Sequence, residues 1–292
     1  LENAAKIAED GFRIPLAYAG RIRATARDLR MFKASAELLL DANGKPRKTG
    51  ELLKQPDLAR TYRAVAKDGI GWFYGGPFAV ATEKWMKANG GIMTAKDLEG
   101  YKVKLREPVR VTYRGYEIVS MPPPSSGGIH VGQILNILEN FDLKKMEPTS
   151  ADFIHLVTEA MKLAFADRER YVGDPSFVDV PVDGLLSTEY AALRRSLIDP
   201  NKALADYPPG DPRGMRAVAN GYRAAETMAY AETVGGDEDG TTYLATVDGQ
   251  GNVVSATPSS FSGLPQGMIL GDTGILINTR GCYFWLDPEN PN

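Results

Sequence analysis

Gly240-Thr241-Thr242-Tyr243-Leu244-Ala245-Thr246-Val247-Asp248-Gly249-Gln250-Gly251-Asn252-Val253-Val254-Ser255-Ala256-Thr257 opens with paired threonines and continues as strand, turn and strand. β-Branched and apolar residues over Thr242–Val247 and Asn252–Thr257 flank Asp248-Gly-Gln-Gly251, a composition that joins antiparallel strands. Just upstream, Gly235-Gly236-Asp237-Glu238-Asp239-Gly240 reads as a mobile stretch. A threonine hydroxyl is a poor nucleophile at neutral pH unless a base sits beside it. A freed α-amino group, with a pKa of about 8, is such a base on the same residue. The pattern therefore predicts a precursor that cuts itself between Gly240 and Thr241, the cut itself creating the catalyst. Gly240, without a side chain, leaves its carbonyl open to attack by the Thr241 hydroxyl.

Composition narrows the remaining classes. At 292 residues, 43% hydrophobic and 24% charged, the chain is long enough for one large core or two modest ones. A formal charge of -3, with no dense Lys or Arg run, gives no electrostatic footprint for nucleic acid or an anionic membrane surface. No apolar run approaches the ~20 residues of a spanning helix. The single cysteine, Cys282, excludes an internal disulfide and is as compatible with the cytosol as with export. The chain starts at Leu1 inside a helical pattern that Gly11 is placed to stop, and finishes at Pro288-Glu-Asn-Pro-Asn292 after strand-like sequence. It reads as a central piece of a longer polypeptide, any signal peptide lying outside it.

Up to about Arg106 the pattern is mostly helical, with Ala59–Ala66 in an amphipathic segment and Thr94-Ala-Lys-Asp97 as a capping box. Pro108–Tyr113 and Tyr116–Ser120, separated by Arg114-Gly115, predict a hairpin. Met121-Pro-Pro-Pro124-Ser125-Ser126-Gly127-Gly128 is a rigid loop before a helix over Ile129–Asn140, with Ser125 or Ser126 as its cap. A catalytic serine there, working with His155, is the alternative reading, although the Gly-x-Ser-x-Gly elbow is missing. After Thr149 and Ser150, the recurrence of Ile154, Val157, Met161 and Phe165 predicts a second helix. His155 and Glu159 share a face of it, but two histidines and one cysteine in the whole chain supply no second ligand pair, so no metal site is expected and His155 reads as structural. Asp167 and Arg168 read as an ion pair or loop anchor. Ile198–Gly240, rich in Pro, Gly, Asp and Ala, predicts an extended or flexible connector. Gly274-Ile-Leu-Ile-Asn278 predicts a further buried strand.

Pro122–Gly128, Glu159-Ala-x-Lys-x-Ala-Phe-Ala-Asp-Arg168, Gly173-Asp-Pro-x-Phe-Val-x-Val-Pro181, Thr241-Thr242 with Val-Asp-x-x-Gly-Asn252, and Gly274–Asn278 stand in this order along nearly the whole chain. Together they resemble the γ-glutamyltranspeptidase family of N-terminal-nucleophile hydrolases. The resemblance implies an α+β, four-layer αββα sandwich, of which this chain holds an incomplete central segment. It implies a large-subunit part over 1–240 and the start of a β-rich small subunit over 241–292, the two staying associated after cleavage. Thr241 would attack an amide such as that of glutathione, form an acyl-enzyme, and pass the acyl group to water or an amine; no cofactor is implied. Ser259 falls where the family places a hydroxyl that bonds to the nucleophile.

The chain also departs from the family pattern. Tyr243 stands where a transpeptidase typically has His, and Phe261, Arg280 and Tyr283 stand where Asn, Gln and Asp surround the glutamyl amino and carboxyl groups. Loss of that Asp removes the anion that would pair with an ammonium group. Asn278-Thr-Arg280-Gly281-x-x-Phe284 instead resembles a subgroup of glutathione hydrolase-like proteins, cephalosporin acylases and oxamate amidohydrolases. Arg280 would suit an acyl group bearing a carboxylate, because guanidinium grips carboxylate through two parallel hydrogen bonds; structural pairing of Arg280, with Tyr283 filling a core gap, is the other reading. The arginine that grips the substrate carboxylate and the oxyanion-hole elements are expected outside this chain. The competing class is an uncleaved, inactive precursor serving as a binding or structural unit. Acyl donor, acceptor and oligomeric state are left open by the sequence.

Overall fold

Small residues decide how the chain begins to pack. In the computed structural model, which describes residues 1–221, 243–259, 267–278, 281, 284–287 and 290–291, helix α1 (Glu2–Asp10) lies on α5 (Pro56–Asp68) through buried Ala5, Ala8 and Ala59. Alanines let the two helices approach closely, and Arg63 ties the pair at the surface through Glu2 (3.1 Å) and Glu9 (2.7 Å). Between them come β1 (Phe12–Arg13), α2 (Leu16–Ala24), α3 (Ala26–Leu29), α4 (Lys33–Leu39) and β2 (Leu52–Leu53), with Phe12 opposite Leu53 in an antiparallel pair. Ile14, Ile22, Leu29, Leu39 and Leu53 form the core of this part. Helices α6 (Ile70–Tyr74), α7 (Pro77–Ala88) and α8 (Ala95–Glu99) follow. At α8 the expected cap is present: one carboxylate oxygen of Asp97 accepts both the backbone N–H (2.7 Å) and the hydroxyl (2.8 Å) of Thr94. The helical reading of this region is thus borne out.

A second unit is built from residues 104–221 with 284–287 and 290–291. Its hairpin has the predicted register, β3 (Val109–Tyr113) antiparallel to β4 (Tyr116–Ser120) with Val111 opposite Ile118. The turn residues Arg114 and Gly115 both have positive φ, 51° and 86°, the backbone that a two-residue hairpin loop requires. Helix α9 spans Gly127–Leu138, two residues earlier at each end than its sequence suggests. Ser126 is its N-cap, but the hydroxyl caps nothing; the Ser126 carbonyl takes the first helical bond, from the His130 N–H at 2.9 Å. Helix α10 (Ala151–Tyr171) is capped as predicted, the Ser150 hydroxyl accepting the Phe153 N–H at 3.2 Å.

The buried face of α10 is not the one its apolar spacing picks out. Ile154 is 54% exposed and Phe165 41% exposed, while Leu156, Glu159, Ala160, Leu163, Ala164 and Asp167 are buried. Two carboxylates on the inner face masked its period. After α11 (Val182–Leu186) and α12 (Thr188–Arg195), the chain runs back along this helix, and polar groups four residues apart receive it. His155 Nε2 bonds to the Asp199 carbonyl (2.8 Å), so His155 is structural, as expected. Glu159 accepts the Leu204 N–H (2.9 Å), Asp167 the Gly210 N–H (2.7 Å), and the Tyr171 hydroxyl donates to the Gly210 carbonyl (2.7 Å). Lys162 bonds to Glu159 (2.7 Å) and to the Leu204 carbonyl (3.2 Å).

Arg194, fully buried, completes the set by donating to the carbonyls of Leu163 (3.0 Å), Pro208 (2.8 Å) and Ala217 (2.5 Å). Its Nε lies 3.3 Å from Asp167 Oδ2, an ion-pair distance at which the N–H is not aimed for a hydrogen bond. Asp167 also accepts from the Tyr190 hydroxyl (3.0 Å) and the Gln133 amide. Burial raises its pKa; Arg194, the Gly210 N–H, Tyr190 and Gln133 oppose that rise and favour the carboxylate. Asp167 is therefore the anchor foreseen, but its cation is Arg194; Arg168 pairs with Glu169 (2.5 Å). Residues 198–221 run without helix or strand, in keeping with the extended form of the expected connector, but they are tied to α10 rather than loose, because buried carboxylates on that helix take their backbone N–H groups. The rest of the predicted connector lies outside the described residues.

His130 is buried beside Phe165, ring centroids 4.5 Å apart, and its Nε2 has no hydrogen-bond partner. Burial, with the charge of Arg168 adding to it, lowers its pKa to about 4. The unfolded chain, with histidine near its ordinary value of about 6.5, then binds the proton that the folded chain refuses, so stability falls as pH drops from about 6.5 towards 4. We expect a loss of about 1–2 kcal/mol between pH 7 and pH 5. Urea midpoints across that range should fall for the wild type and flatten for His130→Gln.

Candidate active site

The strands after the paired threonines are β5 (Leu244–Val247) and β6 (Val253–Ala256), antiparallel with Leu244 opposite Ala256 and Val247 opposite Val253. They belong to the same unit as residues 1–103. Asp248 sets the turn. Its carboxylate accepts the Gln250 and Asn252 N–H groups, both at 2.9 Å, and the Asn252 side-chain amide at 2.7 Å. The Asn252 side-chain bond is the largest of the interactions that hold the Asp248 pKa below the ordinary aspartate range. Tyr243 is 64% exposed, and its phenolic oxygen accepts from the Ser255 hydroxyl at 3.3 Å.

Ser259 follows β6 and is half-buried, its carbonyl accepting the Asn278 side-chain amide at 3.1 Å. This joins the segment after β6 to an arm over residues 267–278. The predicted strand Gly274–Asn278 is not one: it makes a single bridge, Ile269 to Leu276, and is half-buried up to Ile277. The chain folds straight back on itself there, with the Leu270 N–H on the Ile275 carbonyl (3.0 Å) and the Ile277 N–H on the Met268 carbonyl (2.9 Å), which leaves no room for a longer ladder. Helices α4 and α5 hold the arm. The Ser35 hydroxyl accepts the Ile269 N–H (3.0 Å) and the Thr61 hydroxyl donates to the Thr273 carbonyl (2.7 Å). Gly274 has φ 70°, and a Cβ there would stand 2.3 Å from the Leu58 nitrogen, so only glycine permits this approach. Leu276 packs on the core around Leu29 and Leu39.

Thr241, Gly240, Phe261, Arg280 and Tyr283 lie outside the described residues. Of the predicted site residues, Ser259 alone is located, at a junction whose other member, Asn278, stands two positions before Arg280. A cleft of about 710 Å³ in this unit is lined by Phe32, Arg47, Lys54, Trp85 and Ile269, but neither Ser259 nor Asn278 lines it. The serine-hydrolase alternative finds no support, since His155 is bonded to the Asp199 carbonyl and no hydrogen bond joins it to Ser125 or Ser126. Sequence reasoning missed Tyr171, Tyr190, Arg194 and Gln133. The four-residue spacing of His155, Glu159, Asp167 and Tyr171 was a usable signal; the docking of Ser35 and Thr61 on the arm, across more than 200 positions, left none.

Over residues 1–292 the sequence matches the family model described as Gamma-glutamyltranspeptidase, and the chain belongs to that family. It is 36% identical over 292 residues to the glutathione hydrolase proenzyme of Escherichia coli (strain K12), covering 100% of this chain and 47% of that protein. It is 38% identical over 290 residues to the acylase ACY 1 proenzyme of Pseudomonas sp. (strain SE83), covering 99% and 47%. The chain thus spans about half the length of these curated relatives. Among solved structures it is similar to cephalosporin acylase from Bacillus halodurans (TM-score 0.81, 30% identity, 100% of this chain and 49% of that one). The γ-glutamyltranspeptidase of Helicobacter pylori gives a TM-score of 0.69 at 39% identity, covering 75% and 62%. The mixed helix-and-strand fold of this family is therefore the fold of this chain.

The Thr61 bond crosses from α5 to a buried carbonyl, and Thr61→Val keeps the shape while leaving that carbonyl unpaired. We expect a loss of about 1–3 kcal/mol, read as a lowered urea midpoint, with the arm amides of Ile275 and Ile277 exchanging faster.

Proposed function

We propose that this chain is the central part of a self-cleaving threonine-nucleophile amidohydrolase acting on γ-glutamyl or related acyl-amide bonds. One observation carries the reading: relatives named as proenzymes align with the chain from end to end, across a Gly240-Thr241-Thr242 sequence that leads into β5. In the first reaction the Thr241 hydroxyl adds to the Gly240 carbonyl carbon. The Gly240–Thr241 C–N bond breaks as its nitrogen takes up a proton, and water hydrolyses the resulting ester. The products are a Gly240 carboxylate and a Thr241 α-amine. In the second, that amine draws the proton from the Thr241 hydroxyl as it attacks an amide donor and returns it to the departing amine. The acyl-enzyme ester then passes its acyl group to water or to an acceptor amine.

In this reading residues 1–240 belong to the large subunit and 241–292 open the small one, within a four-layer αββα sandwich whose subunits stay associated. Ser259 supports the nucleophile through its hydroxyl, while Phe261, Arg280 and Tyr283 shape the donor pocket. The guanidinium of Arg280 favours a donor acyl group carrying a carboxylate.

Denaturing electrophoresis of the full-length protein should give two fragments, the smaller beginning at Thr241, and Thr241→Ala should give one uncut chain with turnover of glutathione, oxamate and a glutaryl amide abolished. An uncut wild-type chain without turnover would favour the inactive-precursor reading. Arg280→Ala should raise KM for acidic acyl amides by about tenfold or more, the equivalent of a lost charged hydrogen bond; an unchanged KM removes Arg280 from the pocket.

A further inference from the structure

Helix α10 holds the chain that leads towards the scissile bond by its backbone. His155, Glu159, Asp167 and Tyr171 stand at successive four-residue steps, omitting 163, where the helix contributes its own carbonyl to Arg194. What they grip is main chain: the Asp199 carbonyl, the Leu204 and Gly210 N–H groups, and the Gly210 carbonyl. Arg194 adds the Pro208 and Ala217 carbonyls. The row's hydrogen bonds thus follow the path of the backbone, and at Gly210 they require a residue without a side chain, since a Cβ there would stand 2.2 Å from the Tyr190 hydroxyl oxygen; Leu204 adds apolar packing. The segment reinforces itself, Asp211 and Arg216 exchanging backbone bonds at 2.9 and 3.1 Å and the Ala219 N–H meeting the Pro209 carbonyl at 2.9 Å. A buried ion pair adds little net stability over apolar replacements, but removing one partner strands the other. Its use here is to hold a path without helix or strand.

We infer that this row, locked by Asp167 and Arg194, is a positioning device for self-cleavage: it fixes the large-subunit chain up to Ala219 before the cut and retains that chain afterwards. The inference rests on the self-cleaving reading and deepens it. Fixing one end shortens the search of the following residues for the geometry in which the Thr241 hydroxyl meets the Gly240 carbonyl, since fewer conformations of a tethered segment need sampling. The chemistry of amide turnover, which begins once Thr241 is free, does not call on it.

The test follows conversion of purified full-length precursor into its two fragments over time, for wild type, Asp167→Asn, Glu159→Gln and Tyr171→Phe. Amide exchange at Leu204 and Gly210 and thermal melting are measured on the same samples. The expected result is a tenfold or greater slowing of conversion for Asp167→Asn and a few-fold slowing for the other two, with faster exchange of the Gly210 amide in Asp167→Asn and of the Leu204 amide in Glu159→Gln. Once processed, each variant should show wild-type kcat and KM. Folded variants that convert at the wild-type rate overturn the inference, as do variants in which conversion and kcat fall in parallel, the mark of a merely structural role. If Asp167→Asn does not fold, Tyr171→Phe and Glu159→Gln decide the matter by the same criteria. A wild-type precursor that never converts sinks the self-cleaving reading itself, which separates that failure from this one.

Discussion

Buried carboxylates on α10 constrain the second unit more than any apolar contact does. Glu159 and Asp167 sit in an interior where an ionised group without donors is untenable, so the chain must bring donors to them. Lys162, Arg194, Tyr190 and Gln133 supply some, and the backbone N–H groups of Leu204 and Gly210 supply the rest. Satisfying the carboxylates draws residues 199–217 against the helix and fixes α12, which carries Arg194 and Tyr190. The apolar cluster of Ile137, Leu138, Leu156, Leu163 and Ala191 packs around the same helix, but apolar packing alone would accept several paths for the returning chain; the hydrogen bonds accept one.

Much of the scaffold was legible because its signals are local. The Thr94–Asp97 cap, the Arg114-Gly115 turn, the Ser150 cap and the Asp248 turn each depend on residues within four positions of one another, and each stands where the sequence puts it. The errors share a cause as well. The inner face of α10, the path of 198–221 and the arm at 267–278 are set by partners far along the chain. Composition sees Pro, Gly and Asp in Tyr207–Gly214 but not the buried guanidinium that holds them. Gly274–Asn278 has the apolar run of a strand, yet its surroundings are the helix backbone at Leu58 and a turn of its own. For the candidate site, the motif around Thr241 carried the reading; Thr241 lies outside the described residues, and of the predicted site residues the structure describes Ser259, bonded to Asn278.

The family assignment and the physical reading support each other at different scales. The match over the full length states what the chain belongs to. The geometry explains what Glu159–Arg168 accomplishes here: it presents acceptors and donors, at helical spacing, to a segment of irregular backbone.

The unit that carries β5 and β6 is assembled from two stretches of chain, residues 1–103 and 243–281 as far as described, separated in sequence by most of the other unit. Ser35 and Thr61 wait for Ile269 and Thr273, which leave the ribosome more than 200 residues later. During synthesis the early helices are therefore finished long before their core has its last wall. Contacts of such sequence separation form late and slowly. A chain stalled before the arm emerges would leave Ser35 and Thr61 without the backbone partners that their hydroxyls hold in the finished unit.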